Sequence, residues 1–97
     1  MYKFITFTNT NQLPTSINLA RFVGFEIRRN EACIIADFMI ENNNNKYSHS
    51  KPYQAQNTLE IIKALNKRIL DFIKNKEQVI LDFDEAFAEV VNEFKKK

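Results

Sequence analysis

Two runs of alternating apolar residues in the stretch 22–41 constrain the fold of this chain more than any other feature. The apolar positions are Val23, Phe25, Ile27, Ile34, Ala36, Phe38 and Ile40. A period of two is the spacing of one face of a β-strand. A two-residue turn at Asn30-Glu31 pairs Arg29 with Ala32, Ile27 with Ile34, Phe25 with Ala36 and Val23 with Phe38. Because Glu is unusual at the second position of such a turn, a slightly longer turn is the alternative. The stretch therefore predicts an antiparallel hairpin with one apolar face.

The segments around this hairpin predict further elements. Tyr2 to Thr8 is aromatic and β-branched on both faces, which predicts an inner strand of a sheet. Pro14 followed by Thr15 and Ser16 predicts a short helix through Arg21. Gln78 to Leu81 is short, apolar and β-branched, and it predicts a buried strand.

Apolar residues spaced three and four positions apart predict two amphipathic helices. The first has an apolar face formed by Leu59, Ile62, Leu65, Ile69, Phe72 and Ile73. The second follows Asp82, which forms a capping box with Glu85. Its apolar stripe consists of Phe83, Phe87, Val90, Val91 and Phe94. The Asn42–Asn45 tract predicts a loop, and so does the polar stretch from Tyr47 to Gln56, with a helix start near Pro52 or Asn57.

The predicted order of elements is strand, short helix, hairpin, helix, strand, helix. This order predicts an α+β fold in which two helices pack on one face of a mostly antiparallel sheet of about four strands. A chain of 97 residues is long enough for one modest core, so we expect a single domain over residues 1–97.

Several chemistries need residue types that this chain hardly contains. It has one Gly, one His and one Cys. A phosphate-cradling loop needs several glycines, a structural zinc site needs about four Cys or His ligands, and an internal disulfide needs two cysteines. We therefore expect no cofactor and no metal. The first residues lack the apolar stretch of a secretory signal, and no membrane-spanning run follows, so we expect a cytoplasmic protein.

The candidate catalytic residues each have a simpler explanation. His49 lies between Ser48 and Ser50, where we expect an exposed structural residue because neighbouring side chains in an extended loop point apart. Cys33 lies on the strand face that does not carry Ile34, where the predicted register pairs it with Arg28, and we expect it to be a small, partly buried residue that fills space. Asp37, Asp82 and Asp84 are the acidic candidates for metal binding or acid–base chemistry, and Asp82 and Asp84 are explained by a helix N-terminus. We expect no enzymatic activity.

A mixed basic and aromatic group is the best candidate for partner binding. It consists of Arg28, Arg29, Asn30, Glu31, Lys46, Tyr47, His49, Lys51 and Tyr53, which come together if the Asn-rich loop folds back on the hairpin end. Positively charged and aromatic side chains of this kind also bind nucleic acids, the cations at the phosphates and the rings against the bases. However, residues 1–58 carry six cations against four acids, and residues 59–97 carry eight of each. This excess of positive charge is smaller than a dedicated nucleic-acid-binding protein usually has.

The function expected from these exclusions is protein interaction, with nucleic-acid binding as the alternative. The hairpin's second face mixes apolar and charged residues, and either the first strand or the hairpin lies at a sheet edge. We expect a protein target, such as a nucleic-acid enzyme or complex, with a second copy of the chain as a further candidate. Twelve Asn, eleven Ile and ten Lys indicate an AT-rich genome. Small proteins of this kind are often phage or plasmid inhibitors of host systems, including anti-CRISPR and immunity proteins.

Overall fold

The computed structural model describes residues 3–41 and 46–95, which form six strands and two helices in an α+β arrangement. The α+β class predicted from the sequence is confirmed, although the strands form two sheets of three instead of one sheet of about four. The strands are β1 (Phe4–Thr8), β2 (Pro14–Asn18), β3 (Phe22–Asn30), β4 (Cys33–Ile40), β5 (Lys46–Pro52) and β6 (Ile80–Asp82). The helices are α1 (Thr58–Lys74) and α2 (Phe83–Lys95).

The first sheet has the strand order β2-β1-β6. Its central strand β1 is antiparallel to β2 and parallel to β6, so the inner position predicted for the first strand is confirmed. Tyr2 lies outside the described residues. The strand at 80–82 is an edge strand in which Leu81 is buried and Ile80 is 54% exposed, so the prediction of a buried strand holds only for Leu81.

The helix predicted from Pro14 to Arg21 is wrong. Residues 14–18 form β2, and only Leu19–Arg21 makes a 3₁₀ turn. The Asn9 side chain accepts hydrogen bonds from the amides of Asn11 and Leu13, which reverses the chain and returns it alongside β1. Burial of Ile17 in the core then stabilises the extended form.

The second sheet is an antiparallel meander, β3-β4-β5, and it contains the predicted hairpin with a different register. Ile27 pairs with Ala36 and Phe25 with Phe38, two residues from the predicted partners. A shift of two keeps each side chain on its predicted face. The turn residues are Glu31-Ala32, and Glu31 has a positive φ of 54°. A bulge between Phe22 and Gly24 leaves Val23 67% exposed, instead of paired with Phe38.

The loop predicted from Tyr47 to Gln56 is wrong over its first half, because Lys46–Pro52 is strand β5 and pairs with β4. The start of the helix near Asn57 is confirmed. The polar residues of this stretch predict a loop, yet the alternate residues Tyr47 and His49 pack into the core. The predicted Asn42–Asn45 loop lies outside the described residues.

Both predicted helices are confirmed, but the buried face of α1 is rotated relative to the predicted face. Helix α1 buries Ile61, Leu65, Ile69 and Phe72 together with Thr58. Leu59 and Ile73, predicted on this face, are 60% and 38% exposed. Helix α2 buries Phe83, Phe87 and Val90, as its stripe predicted, together with Ala86, while Val91 and Phe94 are partly buried. The Asp82 side chain accepts the Glu85 amide at 3.1 Å, so the Asp82 half of the predicted capping box is confirmed.

A group of aromatic rings joins the two sheets and α2 into one core. The Phe38 ring of β4 lies 5.1 Å from Phe7 of β1 and 5.5 Å from Phe83 of α2, measured between centroids. The contact with Phe83 is edge-to-face, the geometry that aromatic quadrupoles favour. These contacts fix which face of the meander is turned toward the helices, and they leave the opposite face as a candidate for partner binding.

Candidate functional site

The two faces of the meander differ in character. The inner face packs into the core and carries Phe25, Ile27, Ile34, Ala36, Phe38, Tyr47 and His49. The opposite face, called here the outer face, carries Gly24, Glu26, Arg28, Cys33, Ile35, Asp37, Met39, Lys46, Ser48 and Ser50. Its apolar members Ile35 and Met39 are half-buried and are not part of the core cluster. A Cβ added at Gly24 would meet no atom within 4 Å, so the space above this end of the face is open.

Asp37 is the polar centre of the outer face. Its side chain is only 4% exposed, and it is bonded to the Arg28 guanidinium and to the Ser48 hydroxyl at 2.5 Å. The Lys46 ammonium lies 3.9 Å away. Burial raises the pKa of Asp37, but the hydrogen bonds from Ser48 and Arg28 outweigh it and hold the pKa below the ordinary 3.8. Asp37 is therefore a charged residue that fixes two cations from neighbouring strands on one face.

The edge strands carry the features that block pairing with another chain. Strand β3 is an edge, as one of the predicted alternatives had it, but it is bulged near Gly24 and carries charges along its length. Strand β5 ends at Pro52, and β6 is only three residues long. Bulges, charges, prolines and short strands are the usual protections of sheet edges. A partner is consequently more easily accommodated on a face of the meander than along an edge.

The predicted partner-binding residues fall into two separate groups. Arg28 and Lys46 lie on the outer face, on either side of Asp37. The others that remain at the surface lie around the β3–β4 turn, where the Tyr53 amide donates to the Ala32 carbonyl at 2.8 Å and Lys51 lies opposite Ile34. This turn group consists of Arg29, Asn30, Glu31, Lys51 and Tyr53. Lys46 and Tyr47 lie at the far end of β5, so the nine residues do not form one neighbourhood.

His49 is not the exposed residue that the sequence predicted. It is 1% exposed, on the inner face of β5, and its ring packs edge-on against Phe83 at 4.9 Å. Its Nε2 lies 2.9 Å from Oδ1 of Asp84, and its Nδ1 is buried without a partner among the described residues. Burial lowers the pKa of His49 below its ordinary 6.5, against the opposing effect of the Asp84 carboxylate. At neutral pH the imidazole is thus neutral and donates from Nε2.

Asp84 lies in the first turn of α2, as predicted, and has a further role that the sequence did not indicate. Besides its contact with His49, it accepts the amide of Thr8 at 2.8 Å through its second oxygen, Oδ2. One carboxylate of α2 therefore ties the end of β1 to the middle of β5. This role could not be read from the sequence, because the three residues are 35 to 76 positions apart. The alternation of Tyr47 and His49 with Ser48 and Ser50 is the sequence feature from which β5 could have been predicted.

The His49–Asp84 pair is not arranged for acid–base catalysis. A shallow depression of about 200 Å³ is lined by Thr6, Thr8, Asp82 and Asp84 among others, but His49 does not line it. A general base must reach its substrate within hydrogen-bond distance, and a ring that is 1% exposed does not. The pair serves as a link between elements of the core.

The remaining candidates for reactive chemistry are Cys33 and the acidic residues. Cys33 is a free, half-buried thiol that pairs across the hairpin with Asn30, instead of with Arg28 as predicted. Within residues 3–41 and 46–95, no three Cys, His, Asp or Glu side chains come together in a way that could hold a metal ion.

In the same part of the chain, no helix is both long enough and apolar enough to cross a membrane.

Comparisons with protein-family models, with curated proteins and with solved structures gave no match for this chain.

Proposed function

We propose that this protein is a non-enzymatic protein-interaction module that binds a protein partner through the outer face of its meander. The observation that carries this proposal is the composition of that face. Half-buried Ile35 and Met39 lie beside the compensated charges of Arg28, Asp37 and Lys46. An apolar centre with arginine and a charged border is typical of protein–protein contact surfaces.

The charge distribution favours protein over nucleic acid as the ligand. Arg28 and Lys46 share the carboxylate of Asp37, Lys67 lies 2.7 Å from Asp71, and Arg68 contacts Glu89 and Glu93 at 3.1 Å. Nucleic-acid binders instead present uncompensated cations to the phosphates, since release of counterions supplies much of their affinity. These four cations are therefore better suited to orienting a protein partner than to neutralising phosphates.

The proposed mode of action is stoichiometric occlusion of a surface on the partner. It requires a rigid face and no reacting group, which agrees with the burial of His49 and the fixed geometry around Asp37. A finer proposal is that the chain is a phage- or plasmid-encoded inhibitor of a host system, comparable to anti-CRISPR or immunity proteins. That part rests on the composition rich in Asn, Ile and Lys.

Co-purification of the tagged protein from cells that naturally express it, with and without nuclease, tests the proposal. We expect a protein partner in stoichiometric amount that survives nuclease treatment. The variant Ile35→Lys/Met39→Lys should lose this partner. The matched control Leu59→Lys/Leu70→Lys adds the same charge at two exposed apolar positions of α1 and should keep it.

Three results would contradict the proposal. The first is recovery of protein partners only while nucleic acid is intact, which supports the nucleic-acid alternative. The second is equal loss of the partner in both double variants, and the third is the absence of any stoichiometric protein. Far-UV circular dichroism of each variant shows whether the fold is retained.

A further inference from the structure

We propose that the first sheet carries a second docking surface, which binds a short extended segment of a protein with a lysine two residues after an apolar residue. This surface lies on a different sheet from the outer face of the meander. The inference therefore goes beyond the proposed function and does not depend on it. It is carried by the register of β1, β2 and β6 and by the charge of the residues that these strands present.

The first sheet has one face in the core and one face outside it. The buried residues of its inner side are Ile5, Phe7, Ile17 and Leu81. The opposite side, called here the β1 face, carries the residues that alternate with them, namely Phe4, Thr6, Thr8, Pro14, Ser16, Asn18, Ile80 and Asp82. Each of these residues is half-buried or exposed, and none belongs to the core cluster. The β1 face is therefore available for contact with another molecule.

The register places an apolar row and a polar row next to each other on the β1 face. Phe4 is paired with Ile80, which is 54% exposed, so two apolar side chains adjoin. Two residues further along the strands, Thr6 lies between Ser16 and Asp82. Two residues of a strand span about 7 Å. The apolar pair is thus followed, at about 7 Å, by a row of two hydroxyls and one carboxylate.

The polar row opens into a depression that is rich in hydrogen-bond acceptors. This depression of about 200 Å³ is lined by Thr6, Thr8, Ser16, Asp82 and Asp84 among others. Among the described residues, no partner engages the hydroxyls of Thr6, Thr8 and Ser16, and the cap of α2 uses only Oδ1 of Asp82. An ammonium group has three donors and no acceptor. The free hydroxyl oxygens and Oδ2 of Asp82 are acceptors of the kind that such a group requires.

The charge at the depression is negative and is not balanced by a cation. Within the two described ranges, no Lys or Arg nitrogen lies within 4 Å of a carboxylate oxygen of Asp82 or Asp84. Asp84 contacts His49, but the buried imidazole is neutral at neutral pH. Electrostatic complementarity between surfaces favours a positively charged ligand here and disfavours the phosphates of a nucleic acid.

A protein segment fits the β1 face better than a metal ion does. Calcium takes about six or more oxygen ligands, whereas both oxygens of Asp84 already accept hydrogen bonds from His49 and Thr8. The apolar pair beside the depression also calls for a ligand with an apolar group. In an extended chain, the side chains of residues i and i+2 point to the same side and lie about 7 Å apart. An apolar residue over Phe4 and Ile80 therefore places a lysine at position i+2 over Asp82.

The size of the β1 face indicates a short ligand and a weak contact. Three strands spaced about 4.8 Å apart, with three to five residues each at about 3.3 Å per residue, cover roughly 200 Å². Stable interfaces between folded proteins bury about 800 Å² per partner. The expected occupant is consequently a segment of about five residues, which adds to a contact made elsewhere on the two proteins.

An NMR titration of the ¹⁵N-labelled full chain with the peptide acetyl-Thr-Ile-Thr-Lys-Thr-amide, up to about 10 mM, tests the inference. We expect saturable shifts of the amide signals of Thr6, Thr8 and Asp82, with a dissociation constant on the order of 1 mM. The peptide acetyl-Thr-Ile-Thr-Glu-Thr-amide, which carries the opposite charge, should give no saturable shift. Replacing the isoleucine of the first peptide by alanine should weaken binding by about threefold or more.

The variant Asp82→Asn identifies the carboxylate that binds the lysine. Asparagine caps helices as well as aspartate does, so this change removes the charge and keeps the cap of α2. It should weaken binding of the lysine peptide by about threefold to fivefold, the effect of losing one exposed ion pair. The matched control Asp71→Asn removes the same charge from the exposed side of α1 and should leave binding unchanged. The spectrum of each variant shows whether the fold is retained.

Three results would overturn the inference. They are the absence of saturable shifts on the β1 face, equal binding of the lysine and glutamate peptides, and equal affinities of the Asp82→Asn and Asp71→Asn variants for the lysine peptide. None of them bears on the proposed function, because the Ile35→Lys/Met39→Lys capture experiment tests a different sheet. Loss of that capture effect would in turn leave the β1 face as the remaining docking surface.

Discussion

The buried Nε2 of His49 lies 2.9 Å from Oδ1 of Asp84, and this contact joins the meander to helix α2. The same carboxylate accepts the Thr8 amide, so strand β1 is held by the same side chain. Asp84 is 31% exposed at its side chain while His49 is buried, and the link therefore runs from the surface into the aromatic core. Its strength depends on the protonation of His49.

The stability of the protein should fall on mild acidification. Burial lowers the pKa of His49 below 6.5, with a smaller contribution in the same direction from Lys51 and an opposing one from Asp84. Between the lowered folded pKa and 6.5, the unfolded chain binds more protons than the folded one, so the free energy of unfolding decreases as the pH falls through this interval. Urea denaturation from pH 8 to pH 5 measures it.

The matched variant for this effect is His49→Phe, which fills the aromatic site without a titrating group. The difference in free energy of unfolding between the two proteins should change with pH between 6.5 and the folded pKa, and it should be constant above about pH 8. A constant difference over the whole range would contradict the assignment of the titration to His49.

Removal of the Asp84 carboxylate should destabilise the protein substantially. Asp84→Ala leaves the Thr8 amide without its acceptor and both ring nitrogens of His49 without a partner. Losing hydrogen bonds to a charged group and stranding buried polar atoms costs about 2–4 kcal/mol. Glu85→Ala removes the neighbouring exposed charge and should cost no more than about 1 kcal/mol in the same thermal or urea denaturation. Equal effects of the two substitutions would contradict the linking role.

Arg28 should contribute to stability mainly through Asp37. Asp37 is 3% exposed, so Arg28→Ala leaves a buried carboxylate with weaker compensation and should cost about 1–2 kcal/mol. In an Asp37→Asn background the same substitution should cost about 0.5 kcal/mol or less, since no buried charge remains. A double-mutant cycle measured by urea denaturation gives the coupling between the two residues. Additive effects would show that the pair is energetically independent.

The β3–β4 turn contains a strained residue whose replacement should stabilise the fold. Glu31 has a φ of 54°, in the left-handed region that disfavours residues with a Cβ by about 1 kcal/mol. Glu31→Gly removes this cost, partly offset by the greater freedom of glycine in the unfolded chain, for a gain of about 0.5 kcal/mol. Glu31→Ala keeps the Cβ and should give no gain. The two variants are compared by their melting temperatures, and a less stable glycine variant would contradict the expectation.

Much of the fold could be predicted because its pattern is local. The alternation from Val23 to Ile40 defined the hairpin and its faces, and the spacings in α1 and α2 defined the helices. The register shifted by two residues because a turn at Glu31-Ala32 preserves the same faces, and alternation cannot distinguish the two. The stretch at Pro14–Asn18 was misassigned because a proline at the first position suits helices as well as edge strands.

The candidate site was less predictable because it depends on contacts between distant strands. The hairpin's second face was visible in the sequence, but the addition of β5, with Lys46 and Ser48, was not. A polar strand lacks the alternation of apolar residues by which a strand is recognised in a sequence. Strand β5 is extended because it pairs with β4. For the same reason His49 appeared to lie in an exposed loop, while it is a buried member of the core.

The strand orders of the two sheets imply different stages of folding. The meander joins neighbours along the chain, so its contacts close short loops and can form early. The parallel pairing of Phe4 with Ile80 spans most of the chain and carries a larger entropic cost of closure. During synthesis on a ribosome, the pairing of β1 with β6 must therefore wait for β6 to emerge, while the meander and the β1–β2 pair are already able to assemble.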